Sequence, residues 1–333
     1  MKNNYLVINT STDPFYNLAL EEYLLTNYTE GTIVMLWQNE NTIVIGRHQN
    51  ALEEVNQQYV DEHKIKVVRR NTGGGAVYHD LGNLNYSVIT DQLDTNENMM
   101  RIFSEPVIAV LKDLGVEATF SGRNDILIDG KKVSGTAQKI YKTRVLHHGC
   151  ILFDTDLDKV SESLNVRPEK FQSKAIKSVR SRVGNIKDYL QIPVSMQEFR
   201  DRISEKLIKE SPYLILNISE NEQEEVQRLS KEKYETWEWT YGHPIECTVH
   251  NYKRYEGGTV EVYMSVEDGI IEKCQMYGDF MAARPASEVG KALEGCRYEY
   301  KYVLNLLNCF NMEEYFGTIS AAEVALCICC AKE

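Results

Sequence analysis

The amino-acid sequence predicts an α+β protein with two domains, one over residues 1–245 and a smaller one over residues 246–333. Three observations predict this class. Several short runs rich in β-branched residues in the first part indicate buried strands of a large mixed sheet. An Asp-Gly pair at 129–130 joins two further segments as a hairpin. After about residue 245 the composition changes to three strand-like segments followed by a helical stretch.

The remaining elements follow from local patterns. Asp13 can cap a helix and Pro14 suits a first turn, so a helix is predicted over 12–25, with leucines on one side. Strands are predicted at 31–38, 41–49, 64–70, 85–90 and 147–153, helices at 99–115, 157–166, 195–210 and 220–235, a three-stranded meander at 244–280 and helices at 286–331.

The Asp-Gly hairpin predicts which side chains share a face. The two-residue turn places Leu127 opposite Lys132. Continuing the same register places Asp125 opposite Ser134. Because directly opposed residues share a face, these four side chains are predicted to lie together, and the isoleucines to pack on the core behind them. Lys132 and Asp125 should then point toward a site on the opposite side.

Composition excludes several classes of protein. Of 333 residues, 43% are hydrophobic, which is enough for a sizeable core. A net charge of −12 argues against a general nucleic-acid binder. No signal-peptide pattern and no apolar run of about 18 residues is present, so we expect a cytoplasmic protein that does not bind membranes. The eight cysteines begin at Cys150 and lack paired zinc spacing, which predicts reduced thiols, the last of them in a terminal helix.

The stretch "RRNTGGGAVYHDLGN" (69–83) follows a predicted buried strand. Three consecutive glycines cost backbone entropy and need a reason. The stretch lacks GxxxxGK[ST] and GxGxxG, so it is neither a P-loop nor a dinucleotide fingerprint. A tight β-turn would explain it. A ligand lying against bare backbone would also explain it, and the two arginines favour this second interpretation because guanidinium groups suit carboxylate and phosphate oxygens.

Three further features each admit a structural and a functional interpretation. Lys132 can be an ordinary hairpin lysine or a charge aimed at a site. Cys150 beside two histidines can be an activated nucleophile, but is more often a small buried residue. The basic segment 167–187 can be a solvated loop or a mobile lid over an anionic ligand, with Arg180 and Arg182 facing that ligand.

Four stretches together resemble the bacterial lipoate–protein ligases. They are "LWQNENTIVIGRHQN" (36–50), "RRNTGGGAVYHDLGNLNYS" (69–87), "GRNDILIDGKKVSGTAQ" (122–138) and "SVRSRVGNI" (178–186). Their order and spacing match, and the resemblance extends over essentially the whole chain. Single motifs occur in looser form in biotin ligases and octanoyltransferases, whereas the combination is much more specific.

The resemblance implies a fold and an activity. The large domain would be similar to the biotin ligase catalytic domain, with a small accessory domain after it. Such enzymes use ATP with Mg²⁺ to convert lipoate to lipoyl-adenylate. They then pass the lipoyl group to a lysine of lipoyl-domain proteins, namely 2-oxoacid dehydrogenase E2 subunits and the glycine-cleavage H protein. No coiled-coil heptad or repeat suggests assembly, so a monomer is expected.

The resemblance also implies roles for individual residues. Lys132 would be the catalytic group, contacting the lipoate carboxyl and the adenylate phosphate. From its predicted place beside Lys132, Asp125 would orient Lys132 or bind Mg²⁺. Residues implied in lipoate binding are Arg70, Gly73, Gly74, Gly75 and His148, and Trp37 is predicted as an apolar neighbour of the lipoate tail. Residues implied in ATP or adenylate binding are Arg70, Val77, Tyr78, Asn83, Asp125, Lys132, Ser134, Arg180 and Arg182.

Two other functions stay open at this point. An ATP-independent octanoyl or lipoyl transferase would use Cys150 as its nucleophile. A non-catalytic lipoate-binding protein would need no reactive group, and the presence of Lys132 and Arg70 argues against it. The basic segment 167–187 is also a candidate docking site for acidic lipoyl domains.

Overall fold

The computed structural model describes residues 4–91, 99–121, 124–165, 182–208, 213–242 and 247–329. The chain forms two compact units. The first consists of Met1–Val44, Leu52–Val68 and Val77–Thr240, and the second of Ile45–Ala51, Arg69–Ala76 and Tyr241–Glu333. Two short segments from the first part of the chain therefore group with the C-terminal residues.

Eleven strands are described up to residue 216. In chain order they are β1 (Asn4–Ile8), β2 (Thr32–Trp37), β3 (Thr42–Ile45), β4 (Lys66–Arg69), β5 (Val77–His79), β6 (Asn83–Asp91), β7 (Thr119–Ser121), β8 (Asp125–Ile128), β9 (Lys131–Tyr141), β10 (Arg144–Leu152) and β11 (Tyr213–Leu216). Eight of them form a mixed sheet in the order β11-β1-β2-β6-β10-β9-β8-β7, and β4-β3-β5 form a small second sheet. The predicted strands at 31–38 and 41–49 thus enter different sheets.

The helices in the same part of the chain are α1 (Pro14–Asn27), α2 (Ala51–Glu54), α3 (Gln57–His63), α4 (Met99–Asp113), α5 (Leu157–Ser163), α6 (Met196–Ile208), α7 (Glu220–Leu229) and α8 (Trp237–Thr240). Helices α1 and α7 cover one face of the large sheet, and α4 and α6 cover the other. Strand β2 is apolar from Ile33 to Trp37 because both of its faces are buried. Val34 and Leu36 pack in one core with α4 and α6, while Met35 and Trp37 pack in the other with α1. A strand buried on both faces has no polar alternation.

The second unit contains the predicted meander. Strands β12 (Val249–Tyr255), β13 (Gly258–Glu267) and β14 (Ile270–Gly278) are antiparallel neighbours. Helices α9 (Ala286–Leu293), α10 (Tyr300–Leu307), α11 (Met312–Phe316) and α12 (Ala321–Cys329) pack on one face of that sheet. The α+β class is confirmed.

Two local predictions have clear outcomes. The helix predicted over 12–25 is α1, and Asp13 is its N-cap residue, but the predicted side-chain cap is wrong. The Asp13 carboxylate instead pairs with the Lys66 ammonium at 3.0 Å. A lysine distant in sequence therefore takes the place of the backbone N–H groups at the start of the helix. Among the described residues, no helix is long and apolar enough to cross a membrane.

Candidate functional site

A row of directly opposed residues crosses five strands on the α1 side of the large sheet. Trp37 lies opposite Asn85, Asn85 opposite Cys150, Cys150 opposite Gly135, and Gly135 opposite Asp125. We call these five residues the cross-strand row. Trp37 is 3% exposed, whereas Cys150, Gly135 and Asp125 are each partly exposed. The row is therefore deep at its tryptophan end and open at its aspartate end.

The hairpin that carries Lys132 departs from the predicted register. Lys132 lies opposite Leu127 as predicted, but the register then shifts, and Ser134 lies opposite Ile126. The prediction that Ser134 shares a face with Asp125 is wrong, because a bulge at Val133 turns both Val133 and Ser134 toward the core. The Asp-Gly turn itself has the expected left-handed φ angles of 49° and 76°.

Lys132 lies at the open end of the cross-strand row. Its ammonium is 2.7 Å from the Asp125 carboxylate, and both side chains are about one-third exposed. Asp125 is thus placed to orient Lys132. The Lys132 ammonium is partly exposed there, so a ligand at this end of the row can reach it.

The end of the basic segment is attached to Lys132 through the backbone. The Lys132 N–H donates to the Arg182 carbonyl at 2.8 Å, and the Gly184 N–H donates to the Lys132 carbonyl at 3.0 Å. Val183 forms a parallel bridge with Lys132. The structure therefore brings Arg182 next to Lys132, although the two lie far apart in sequence. Arg180, and Lys170 and Lys174 of the proposed docking surface, lie outside the described residues.

A buried polar network lies beside the deep end of the row. The Trp37 Nε1–H donates to Ser87 Oγ at 2.8 Å, and the Ser87 hydroxyl donates to Glu21 Oε1 at 2.5 Å. His148 Nδ1 is 2.9 Å from the same carboxylate oxygen. Because a carboxylate only accepts, Nδ1 of His148 carries the proton and donates it. Trp37 and His148, two predicted site residues, are thus linked through Glu21.

Sequence reasoning missed Glu21 and Ser87. Glu21 is only 2% exposed, although it is a carboxylate on a helix. It lies three residues from both Leu18 and Leu24, so it interrupts the apolar stripe of α1. A charged residue inside such a stripe is a signal that could have identified it.

His147 faces the other side of strand β10. It is fully buried, 3.3 Å from the Gln138 amide and 3.5 Å from the Tyr86 hydroxyl. Burial lowers the pKa of His147 to about 3, because the charged imidazolium loses its hydration there. Both histidines of the pair are buried, and His148 is the one on the face of the cross-strand row.

The glycine loop belongs to the second unit. The Arg70 guanidinium donates from Nη2 to the carbonyls of Gly73 at 2.6 Å and Gly75 at 2.9 Å. A side chain on Gly73 would meet the Phe280 carbonyl oxygen at 2.5 Å, and one on Gly74 would approach Arg70 at 3.0 Å. Packing within the unit explains Gly73, whereas the left-handed φ angle of 90° explains Gly74. At Gly75, by contrast, an added Cβ atom would have no described atom within 4 Å.

The other predicted ligand residues are engaged in local structure. Val77 pairs with Val44 in the small sheet, and the buried Tyr78 donates its hydroxyl to Asn41 at 3.0 Å. Asn83 is fully buried at the start of β6 and donates to Asn85 at 3.0 Å. Asn83 therefore touches the cross-strand row through Asn85.

The described part of the chain contains no group of three His, Cys, Asp or Glu side chains that could hold a metal ion. Near Lys132, Asp125 offers a carboxylate. One carboxylate fits a Mg²⁺ ion that is held mainly by substrate phosphates and water. The predicted burial of cysteines in the terminal helix is seen at Cys327, which is 2% exposed in α12 and donates its thiol to the Val260 carbonyl at 3.4 Å.

Two family models cover most of the chain. The model of the lipoyl protein ligase A/B catalytic domain matches residues 13–208, and that of the bacterial lipoate protein ligase C-terminus matches residues 245–328.

The chain is similar over nearly its whole length to named bacterial proteins. It is 41% identical to lipoate-protein ligase LplJ of Bacillus subtilis (strain 168), with 92% of this chain and 94% of the relative covered. It is 39% identical to lipoate–protein ligase 1 of Staphylococcus aureus (strain Mu50), with 95% and 97% covered.

Solved structures agree with this similarity. P. falciparum LipL1 in complex with lipoate has a TM-score of 0.79 at 24% identity, covering 93% of this chain and 95% of its own, which shows the shared fold. A bipartite lipoate protein ligase from Thermoplasma acidophilum, described with its E2 lipoyl domain, has a TM-score of 0.66 at 34% identity, covering 75% and 100%. A lipoate-protein ligase A bound with ATP has a TM-score of 0.63 at 30% identity, covering 73% and 99%.

Proposed function

The chain belongs to the bacterial lipoate–protein ligases, and on this premise we propose that it activates lipoate with ATP and transfers the lipoyl group to protein. In the first step a lipoate carboxylate oxygen attacks the α-phosphorus of ATP, forming lipoyl-adenylate and releasing pyrophosphate. In the second step the ε-amine of an acceptor lysine attacks the acyl carbon, forming an amide and releasing AMP.

The observation that carries this proposal is the placement of Lys132. The first step brings a carboxylate toward a polyphosphate, so it needs positive charge where the two anions meet. Lys132 lies at the open end of the cross-strand row, paired with Asp125 and joined to Arg182 through its backbone. Lys132 is the proposed catalytic residue, because its ammonium can neutralise the reacting carboxyl and the adenylate phosphate.

The acyl tail of lipoate is proposed to lie along the cross-strand row, toward its buried end. From Gly135 to Trp37 the row crosses three strand spacings, roughly 14 Å. This span suits a medium-length acyl chain with its carboxyl at Lys132. Trp37 and His148 would then contact the tail, while the Glu21 network fixes their orientations.

The remaining predicted site residues are proposed to line the lipoate and nucleotide sites. Arg70 and Gly73–Gly75 are proposed to contribute to lipoate binding through the shape of their loop, since Arg70 holds the loop carbonyls. Val77, Tyr78, Asn83, Ser134, Arg180 and Arg182 are proposed to contribute to the nucleotide site. Mg²⁺ bound to ATP would supply further positive charge, with Asp125 as the carboxylate that the chain offers.

The acceptors are proposed to be lipoyl-domain proteins, E2 subunits and the glycine-cleavage H protein. A bipartite relative is described with an E2 lipoyl domain, which supports this class of partner. We further propose that the protein acts as a cytoplasmic monomer. In this proposal residues 1–245 carry both chemical steps and residues 246–333 form an accessory domain.

The test is lipoate-dependent pyrophosphate exchange with purified protein, labelled ATP and Mg²⁺. Exchange is expected in the wild type and should be lost in Lys132→Ala, because the substitution removes the charge proposed to neutralise the reacting carboxyl and the adenylate phosphate. An absence of exchange in the folded wild-type protein would refute the ligase proposal.

A transferase that uses Cys150 is the competing function. Cys150 is partly exposed in the cross-strand row, opposite Gly135, so a substrate could reach its thiol. The match to a ligase C-terminus over residues 245–328 favours the ligase. A transferase would use an acyl-carrier thioester without ATP and would lose activity in Cys150→Ser.

A further inference from the structure

The side chain of Lys132 lies across the α-carbon of Gly135. A Cβ atom added to Gly135 would lie 2.7 Å from Lys132 Nζ and 2.8 Å from its Cε. The lysine therefore occupies the volume that any larger residue at position 135 would fill. The backbone of Gly135 is outside the left-handed region, so its need for glycine is one of space and not of conformation.

This contact depends on the bulge in strand β9. In a regular strand, residues three apart point to opposite faces. Here Val133 is the extra residue, so Lys132 and Gly135 fall on the same face. Gly135 lies directly opposite Asp125 on one side and Cys150 on the other. The lysine that crosses Gly135 is thereby aimed at Asp125, at a distance of 2.7 Å.

We propose that Gly135 is a positioning residue for the adenylation step. Its missing side chain lets the Lys132 ammonium lie in the cross-strand row, between Cys150 and Asp125. This inference rests on the proposed function of Lys132. An alanine at position 135 would contact the far end of a flexible side chain, which can rotate away at little cost to stability. The substitution should therefore displace the charge without unfolding the protein.

The experiment compares the wild type with Gly135→Ala, Lys132→Ala and the double variant. Gly135→Ala is expected to melt within about 2 °C of the wild type. Its rate of lipoate-dependent pyrophosphate exchange should fall about 100-fold, because removing one preorganised group that stabilises the transition state typically costs this much. Its affinity for a non-hydrolysable lipoyl-adenylate analogue, measured by calorimetry, should fall about tenfold, because a charge-assisted contact is lost.

The double variant separates positioning from a general structural effect. If Gly135 acts through Lys132, then in the Lys132→Ala background Gly135→Ala should leave the affinity for the analogue unchanged. A structural defect would instead lower the affinity by the same factor in both backgrounds, and that result would overturn the inference. Lys131→Ala is the matched control. Lys131 is the neighbouring lysine, but its side chain lies near Gly184 and away from Gly135, so this variant should catalyse exchange at the wild-type rate.

Failure of the inference and failure of the proposed function give different results. Wild-type exchange in Gly135→Ala, with Lys132→Ala inactive, overturns the positioning role alone. Full exchange in Lys132→Ala overturns the role of Lys132 on which the inference rests. Absence of exchange in the wild type overturns the proposed function itself.

Discussion

Replacing Glu21 by alanine should destabilise the protein by about 3–5 kcal/mol, as expected when one partner of a buried charged network is removed. Glu21 is 2% exposed and accepts from Ser87 at 2.5 Å and from His148 at 2.9 Å. Its loss leaves both donors buried without their acceptor, and each such group costs about 1–3 kcal/mol. At roughly 2–4 °C for each kcal/mol in a domain of this size, the melting temperature should fall by roughly 10 °C.

The assay is urea unfolding followed by circular dichroism, with thermal melting as a second measure. Glu21→Gln keeps the size and one acceptor oxygen, so it should cost only about 1–2 kcal/mol. Glu117→Ala, at an exposed surface position, is the control and should stay within about 0.5 kcal/mol of the wild type. If Glu21→Ala is no more destabilising than Glu117→Ala, the network does not hold α1 to the sheet and the reasoning is refuted.

Three other predictions concern His147, the glycine loop and Cys150. The pKa of His147 is about 3 when folded and about 6.5 when unfolded. Below pH 6.5 only the unfolded chain takes up the proton, so by pH 5 this group should cost about 2 kcal/mol. Urea unfolding from pH 7 to pH 5 should show a shallower decline for His147→Asn, and equal declines would contradict this. Gly73→Ala would place Cβ 2.5 Å from the Phe280 carbonyl oxygen and should cost about 2 kcal/mol in urea unfolding. Gly75→Ala, with no described atom within 4 Å, should stay within about 0.5 kcal/mol, and similar losses in both would show that packing against Phe280 is not the cause. Cys150→Ser should keep pyrophosphate exchange within about twofold of the wild type, whereas a large loss would favour the thioester mechanism.

Local patterns were enough to predict much of the fold. The Asp-Gly turn, helix α1 and the C-terminal meander depend on residues close together in sequence, and the structure has all three. The motifs also identify Lys132, Trp37 and His148 as candidate site residues. Their roles follow from the resemblance and remain proposals.

Sequence periodicity did not predict the bulge at Val133. Alternation along a strand assumes regular pairing, and the shift between Ile126 and Leu127 breaks it. The bulge is why the prediction for the face of Ser134 is wrong. Residues 182–184, far along the chain, also pair with the Lys132 backbone, and local alternation does not predict such long-range pairing.

The sequence by itself determined that this chain makes a mixed α+β fold with a lysine at a polar hairpin and a loop of three consecutive glycines. Only the tertiary structure decided what surrounds each of them. The cross-strand row joins residues from five strands, and Phe280 packs against Gly73 from the other end of the chain. Contacts of this kind depend on how distant segments pack together, and no local pattern of residues encodes them.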